Sequence, residues 1–208
     1  MSGVSKAIVQ PLLSWYDAGH RDLPWRSEPA PYRVWVSEIM LQQTRVEAVR
    51  GYFSRWMNAL PDIPTLAAAD EAVYTKLWEG LGYYSRVRNL HRAAVLLCEE
   101  YGGELPADYD RLLALPGVGE YTAGAVASIA FGLPVPAVDG NVLRVAARLD
   151  NDFTPITDAK FKKQTRERFA ALMPSDRPGD LNQSLMELGA TVCLPNGAPR
   201  CDDCPIQH

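Results

Sequence analysis

"ALPGVGEYTAGAVASIAFG", residues 114–132, joins a glycine hairpin to a run of small residues. Gly117 and Gly119 permit positive backbone dihedral angles and leave no side chain in the way of a ligand. The stretch predicts a short helix ending near Leu115, a tight turn, and a second helix beginning near Glu120. The N-terminus of that second helix would offer backbone N–H groups and a favourable dipole to an anion such as phosphate. The alternative interpretation is an ordinary turn between helices with a glycine cap.

Apolar residues recur at three- and four-residue steps on both sides of this hairpin, which predicts amphipathic helices. One helix is predicted from Tyr32 to Met57, and Thr65 is predicted to cap the next. Because no stretch alternates apolar and polar residues between hairpin turns, a sheet is not expected and the predicted fold class is all-α. Further helices are predicted over 65–80, 85–101, 108–114, 120–131, 141–149, 158–172 and 180–192.

The composition of the chain limits the classes of function. With 208 residues, 47% hydrophobic and 22% charged, it can bury the core of one large or two small domains. The net charge of -4 gives no global reason to expect nucleic acid, so such binding has to rest on local sites. No segment approaches the roughly 18 apolar residues of a membrane span, and the N-terminus does not look like a signal peptide. We expect a cytoplasmic protein with no membrane partner.

Three cysteines lie close together near the C-terminus, in "CLPNGAPRCDDCP". Seven residues separate Cys193 from Cys201, and two separate Cys201 from Cys204. In a cytoplasmic protein such thiols favour zinc or an iron–sulfur centre over disulfides. Cys98 follows an apolar run and is interpreted as a small buried hydrophobe. The fourth ligand is therefore missing, and either the sequence is truncated or His208 takes its place.

Two acidic residues are candidates for chemistry. Glu38 lies in the apolar stretch "VWVSEIML", where a carboxyl group resists ionisation and suits proton donation near neutral pH. Its spacing of four and three places it on one side of the predicted helix with Gln42 and Arg45. The alternative is a solvated surface glutamate. Asp139, together with Asn141, starts a later predicted helix, and capping alone would explain both residues.

The order of these motifs resembles the adenine DNA glycosylases of the MutY family, within the helix-hairpin-helix glycosylase superfamily. The resemblance covers nearly the whole chain and is highly specific, because the hairpin, the downstream aspartate and the cysteine group keep their expected relative places. It is carried by "LPWR", "PYRVWVSEIMLQQTRVEAV", "LWEGLGYYSRVRNLHRAA", "LPGVGEYTAGAVASIAFG", "PAVDGNVLRV", "NQSLMELGATVC" and "CDDCP".

The resemblance implies two helical lobes and a cofactor. A six-helix domain over 28–134 would carry the hairpin, and residues 1–27 with 135–208 would form an iron–sulfur domain. Its [4Fe-4S] cluster would be held by Cys193, Cys201 and Cys204. The partner would be double-stranded DNA containing adenine opposite 8-oxoguanine or guanine, and the protein would act as a monomer near the nucleoid.

The resemblance also implies roles for individual residues. Glu38 would protonate the adenine ring of a nucleotide flipped out of the duplex, and Asp139, oriented by Asn141, would stabilise the sugar cation. Relatives that resemble endonuclease III carry a lysine where this chain has Tyr121. Because a lysine amine forms a Schiff base with the sugar and a tyrosine cannot, a monofunctional glycosylase is expected.

DNA contacts follow from the same motifs. Those expected to contact DNA or the flipped adenine are Arg26, Gln43, Tyr83, Gln183 and the hairpin residues Gly117, Val118 and Gly119, with Gln43 and Tyr83 wedged into the duplex. Arg86, Arg88 and Arg92 form a basic segment that either meets phosphate or faces solvent.

The sequence departs from the family pattern at the C-terminus. The usual fourth cysteine is missing, and the first cysteine spacing is seven rather than six. The sequence also ends before the 8-oxoguanine-recognition domain into which bacterial relatives usually continue. Two alternatives stay open: a thymine glycosylase acting on G:T mismatches, and a non-catalytic iron–sulfur module that binds DNA.

Overall fold

The computed structural model describes residues 4–207 and contains no strand within them, which confirms the all-α prediction. Two short 3-10 helices, Lys6–Ile8 and Cys201–Asp203, lie near the ends of this range. No helix in the described range is both long and apolar enough to cross a membrane. The α-helices are α1 (Val9–Ala18), α2 (Pro31–Leu41), α3 (Val46–Ala59), α4 (Ile63–Ala67), α5 (Glu71–Trp78), α6 (Ser85–Tyr101), α7 (Tyr109–Leu113), α8 (Glu120–Phe131), α9 (Gly140–Asp150), α10 (Ala159–Ala170) and α11 (Pro178–Thr191).

The chain divides into two compact units, which we call the central unit and the terminal unit. The central unit is Asp22–Val126, and the terminal unit joins the residues up to Arg21 to those from Ala127 onward. Helix α8 begins in the first and ends in the second. A split into two helical lobes was also predicted, although with boundaries a few residues away, near 27 and 134.

Tryptophans form much of the core of the central unit. The rings of Trp56 and Trp78 meet edge to face with centroids 5.6 Å apart, and both side chains are fully buried. The indole N–H of Trp56 donates to the Tyr32 hydroxyl, which in turn donates to the Leu60 carbonyl. A buried polar group needs a partner, so these bonds allow the Trp56 indole and the Tyr32 hydroxyl to lie in the apolar core that α2, α3 and α5 share.

The terminal unit has its own core, in which α11 packs on both α1 and α9. Leucine dominates the α11 face, and α10 adds Phe169. Asp158 caps α10 by accepting the backbone N–H of Phe161 at 2.8 Å. The core consists of Val4, Ile8, Leu12, Leu13, Val142, Val145, Ala146, Phe169, Leu181, Leu185, Leu188, Val192 and Ile206.

Two predicted helices are interrupted. The helix predicted from Tyr32 to Met57 is two helices, α2 and α3, because the backbone leaves helical geometry at Gln42 and adopts φ +56° at Gln43. The helix predicted over 65–80 is likewise α4 and α5. Thr65 is not a cap: Asp62 caps α4, and its carboxylate accepts the backbone N–H of Thr65 at 2.8 Å.

Candidate functional site

Glu38 and Tyr121 come together in the central unit, although 83 positions separate them in the chain. Glu38 lies in the last turns of α2 with 5% of its surface exposed, so the surface-glutamate interpretation is wrong. Tyr121 lies in the first turn of α8, and its hydroxyl donates to Glu38 Oε2 at 2.6 Å. This length is typical of a hydroxyl bound to a carboxylate. The phenol therefore fixes the orientation of a buried carboxyl group.

A second side-chain hydrogen bond links the end of α2 to α8. The Gln42 side-chain amide donates to the Thr122 hydroxyl at 3.3 Å. The helix has already ended at Leu41, so Gln42 and Arg45 do not continue the helical face that carries Glu38. That shared face was predicted, and the break in the helix makes the prediction wrong.

The glycine hairpin forms as predicted. Gly117 has φ +76°, and a Cβ there would lie 2.7 Å from the Asn89 Cβ, so glycine is required. Gly119 does not have a positive φ, so the backbone freedom that glycine permits is used at Gly117 and not at Gly119. Its carbonyl accepts the N–H of Ala123 in the first turn of α8, and the space around its Cα is open. Val118 between them is buried. The hairpin therefore leaves the N-terminus of α8 accessible, as anion binding requires.

The other residues expected near DNA in the central unit lie in loops. Arg26 is half-buried and follows the buried Trp25, and its backbone N–H donates to the Leu23 carbonyl. Gln43 and Tyr83 are exposed and both have positive φ, +56° and +46°. Left-handed backbone is uncommon for such side chains and marks strain that the surrounding structure must support.

The basic segment of α6 divides into three different environments. Arg86 is buried, so neither a phosphate contact nor a solvated face describes it correctly. Its guanidinium is enclosed by backbone carbonyls from the end of α2 and from the loop that precedes α6. Arg88 is exposed and pairs with Glu71 at 2.9 Å, and Arg92 is exposed.

Asp139 and Asn141 lie together in the terminal unit, where α9 begins. Asp139 is the N-cap: its Oδ1 accepts the backbone N–H of Val142 at 2.8 Å. Its Oδ2 accepts the Asn141 side-chain amide at 2.7 Å. Burial raises the pKa of Asp139 above its ordinary value, and the hydrogen bonds from Val142 and Asn141 act in the opposite direction. The cap was predicted, and the second oxygen does more than capping requires.

Arg144 continues this hydrogen-bond chain toward the cysteines. Its Nη2 donates to Asn141 Oδ1 at 2.9 Å and to the Gly189 carbonyl at 2.7 Å, while its Nε donates to the Cys193 carbonyl at 3.0 Å. A Cβ on Gly189 would lie 2.5 Å from the Asn141 Cβ, so only glycine lets α11 approach so closely. The orientation of Asn141, and through it of Asp139, is therefore set from two sides.

Asn182 on α11 holds the segment that leads into Asp139. Its Oδ1 accepts the N–H of Ala137, and its Nδ2 donates to Ser128 Oγ at 2.7 Å and to the Val135 carbonyl at 2.9 Å. Only 1% of its surface is exposed. Its neighbour Gln183, the predicted DNA contact, is half-buried.

The three C-terminal cysteines line one cavity of about 310 Å³ in the terminal unit. Burial raises the pKa of the Cys204 thiol, and the nearby Cys193 and Cys201 thiols add to the rise. Arg148 Nη1 donates to Cys193 Sγ at 3.2 Å. Sulfur donors around a common space fit iron–sulfur or zinc chemistry. However, no three acidic, histidine or cysteine side chains in residues 4–207 are arranged to hold a metal ion.

A fourth ligand is not supplied by the described part of the terminal unit. Cys98 is half-buried on α6 and belongs to the central unit. His208, the other candidate, lies outside the described residues.

Comparison with known proteins identifies the family. The model for "HhH-GPD superfamily base excision DNA repair protein" matches residues 36–173. The chain belongs to this superfamily. It is 48% identical over 205 residues to an adenine DNA glycosylase of Mus musculus, covering 94% of this chain and 40% of that protein. It is 44% identical to an adenine DNA glycosylase of Mycolicibacterium smegmatis, covering 95% of this chain and 67% of that protein.

A solved structure supports the same assignment. The structure described as a thermostable thymine-DNA glycosylase superposes with a TM-score of 0.85 at 27% identity, covering 97% of this chain and 92% of the other. The superfamily predicted from the sequence is thus confirmed, and the chain spans about two fifths of the mammalian relative that it matches.

Three residues of this HhH-GPD chain were not recognised as site residues from the sequence. Asn182 carried little signal, since α11 also contains other polar residues such as Gln183 and Glu187. Arg144 carried a weak signal, because it follows Asn141 by three positions, a helical neighbour spacing. No local signal showed that Arg86 points inward, because Arg88 and Arg92, the other arginines of the basic segment, are exposed.

Proposed function

We propose that this chain is the catalytic region of an adenine DNA glycosylase that removes adenine mispaired with 8-oxoguanine or guanine. The observation that carries the proposal is the 2.6 Å hydrogen bond from Tyr121 to Glu38, which orients a buried carboxyl group beside the start of the hairpin helix. The high identity to adenine DNA glycosylases supports the choice of base.

Glu38 acts as the general acid. Adenine leaves the sugar readily only when its ring is protonated, because the departing base is then neutral. Burial disfavours the charged form of a carboxyl group, which suits Glu38 to deliver a proton to the ring. The Tyr121 hydroxyl holds that carboxyl in one direction, so the proton is presented at one place.

Asp139 stabilises the sugar while positive charge develops on it. Asp139 performs this task as the carboxylate: burial raises its pKa, and the N–H donors from Val142 and Asn141 oppose that rise. Water completes the reaction and leaves an abasic site. Because Tyr121 has no amine to form a Schiff base, the strand is not cut.

Binding of the duplex does not require a net positive charge on the protein. The backbone N–H groups at the N-terminus of α8 bind a phosphate, which reconciles DNA binding with a net charge of -4. Gln43 and Tyr83 enter the duplex where the adenosine is extruded, and Arg26 and Gln183 contact the extruded base or nearby DNA. Extrusion is needed because the glycosidic bond cannot be reached inside the stack. A monomer suffices for this reaction.

Cys193, Cys201 and Cys204, which line one cavity, would hold a [4Fe-4S] cluster in the proposed protein, with a fourth ligand from outside residues 4–207. The bound cluster would tie down the C-terminal segment that follows α11. Purified protein should then be brown and contain iron and sulfide. Cys201→Ser should lose this colour, whereas Cys98→Ser should keep it. A colourless protein that contains zinc contradicts the proposal.

The activity test uses duplexes that contain A:8-oxoguanine, A:G or G:T. After incubation, alkali cuts the strand at any abasic site. We expect breaks in the first two duplexes, and no breaks in any duplex with Glu38→Gln, whose amide cannot donate that proton. Glu47→Gln, an exposed residue of α3, is the matched control and should retain activity.

The outcomes separate the candidate functions. Product only from G:T indicates thymine release, the activity in the description of the superposed structure. Equal DNA binding with no product from any duplex indicates a binding module. Full activity of Glu38→Gln removes Glu38 from the acid role.

A further inference from the structure

One guanidinium group, that of Arg86, joins the end of α2 and the loop after it to the loop that precedes α6 in the central unit. Its Nη1 donates to the carbonyls of Ile39 and Met40, both at 3.0 Å. Its Nη2 donates to the carbonyls of Leu81 and Gly82, at 3.0 and 3.2 Å. The first pair belongs to the end of α2 and the second to the loop that precedes α6.

The carbonyls of Ile39 and Met40 are ones that helix α2 itself leaves unbonded. The last four carbonyls of an α-helix have no partner within it, and they carry the negative end of the helix dipole. Arg86 Nη1 also donates to the Gln42 carbonyl just after α2. A planar guanidinium spreads five N–H donors over a rigid fork and can reach acceptors on two sides at once, whereas lysine carries three donors on a single nitrogen.

Each loop that Arg86 binds contains a strained residue directly beside a bonded carbonyl. Gln43 follows Gln42 with φ +56°, and Tyr83 follows Gly82 with φ +46°. Asn151 is the other non-glycine residue with positive φ in the part of the chain that the structure describes, and asparagine tolerates that geometry. Gln43 and Tyr83 therefore depend on external support, and Arg86 supplies it to both.

The same guanidinium supports the Tyr83 ring. It lies 5.5 Å from the centroid of the Tyr83 ring and 5.2 Å from that of the buried Trp78. The Trp78 indole N–H donates to the Gly82 carbonyl at 3.0 Å, which adds a second hydrogen bond to the loop beside Tyr83. Even so, 61% of Tyr83 is exposed. The supported ring is therefore accessible to a partner.

We infer that Arg86 is a positioning residue that sets Gln43 and Tyr83 at the spacing and direction with which they enter the duplex. This inference rests on the proposed function, because it concerns the step in which the target nucleotide is extruded. Arg86 itself touches neither DNA nor adenine, and it acts through the two loops.

The test compares four proteins: the unaltered chain, Arg86→Lys, Tyr83→Ala and the double variant. Arg55→Lys is the matched control, because that guanidinium also lies over a tyrosine ring, Tyr52 at 4.6 Å, but on the exposed side of α3. Extrusion is followed by the fluorescence of 2-aminopurine placed at the target adenine position, which rises when the base unstacks. The single-turnover rate of adenine release is measured separately, with saturating enzyme, at a temperature where circular dichroism shows each variant folded.

Arg86→Lys should reduce extrusion and release by roughly 10- to 100-fold, the scale expected when a contact group is misplaced by about 1 Å. Tyr83→Ala should do the same, and in the double variant Arg86→Lys should slow release much less than it does alone, because Arg86 works through Tyr83 and Gln43 and only Gln43 is left to misplace. Arg55→Lys should match the unaltered chain. A purely structural role for Arg86 would lower the melting temperature and leave extrusion intact.

Several outcomes overturn the inference. One is normal extrusion by Arg86→Lys, and another is a double variant slowed by the product of the single effects. If the unaltered chain unstacks 2-aminopurine but releases no adenine, the proposed function fails while the fluorescence comparison still decides the role of Arg86. If it does not unstack the base, the inference fails too. Should Arg86→Lys not fold, Thr44→Val removes a hydroxyl 3.4 Å from both Nη atoms and is expected to show a smaller defect in the same cycle.

Discussion

Gly189→Ala tests whether the contact between α9 and α11 positions the reacting groups. A Cβ at Gly189 would lie 2.5 Å from Asn141 Cβ and 3.1 Å from Asn141 Cα, whereas carbon atoms in contact are normally about 3.5–4.0 Å apart. The helices must therefore separate locally by about 1 Å. Because Asn141 bonds Asp139 at 2.7 Å, the displacement reaches the carboxylate directly.

The expected effect on stability is small and the effect on activity is large. Overpacking costs about 1–3 kcal/mol, while alanine is favoured over glycine within a helix by about 1 kcal/mol. The net loss of about 0–2 kcal/mol lowers the melting temperature of a chain of this size by less than about 8 °C. A catalytic group displaced by about 1 Å costs on the order of 10²-fold in rate. Adenine release should thus fall far more than stability predicts.

The assay pairs thermal unfolding, followed by circular dichroism, with single-turnover adenine release at a temperature where the variant is folded. Gly19→Ala is the control, since a Cβ there meets nothing within 4 Å and the extended backbone suits any residue. A Gly189→Ala protein that releases adenine at the normal rate refutes the positioning argument. A normal rate together with a lower melting temperature would leave the packing argument standing and remove only its link to catalysis.

Two further predictions concern backbone strain and pH. Tyr83→Gly should be more stable to urea than Tyr83→Ala by about 1 kcal/mol, because glycine relieves the strain of φ +46° and alanine does not, and a more stable alanine variant would contradict this. Arg144→Met should move the acidic limb of the pH–rate profile to higher pH, because the charge of Arg144 lowers the pKa of Asp139, which must be ionised to act. Arg144→Lys should shift the limb less, and a limb that stays in place or moves to lower pH would show that Asp139 does not control it.

The helices could be predicted from the sequence because apolar periodicity follows directly from burial of one helix face. The breaks between them could not. Val46, Val49, Phe53 and Trp56 continue the three- and four-residue spacing set by α2, so the apolar pattern runs through Gln43 without a sign that the backbone turns there. The interruption depends on tertiary hydrogen bonds from Arg86, more than 40 positions later in the chain.

Capping residues were predicted with mixed success for a related reason. Thr65 was predicted to cap the helix, but the cap is Asp62, three positions earlier, and Pro64 lies in the first turn. Proline fits the first helical turn, where its missing N–H costs nothing, and this favours the earlier start that the structure adopts. The closeness of Glu38 to Tyr121 is of another kind, because no local rule joins residues 83 positions apart, and the family resemblance gave each residue a role without predicting their contact.

Capping alone does not explain the start of α9. A cap needs one side-chain oxygen, and the bond from the Val142 N–H to Asp139 Oδ1 provides it. The second oxygen is bonded to Asn141, whose own carbonyl accepts from Arg144, and Arg144 in turn donates to the Cys193 carbonyl. A side chain needed only to cap the start of a helix gains nothing from this chain of oriented partners. Since every member of it fixes the next, the cap serves to hold Asp139 in one orientation, which is what a group that must face a developing charge requires.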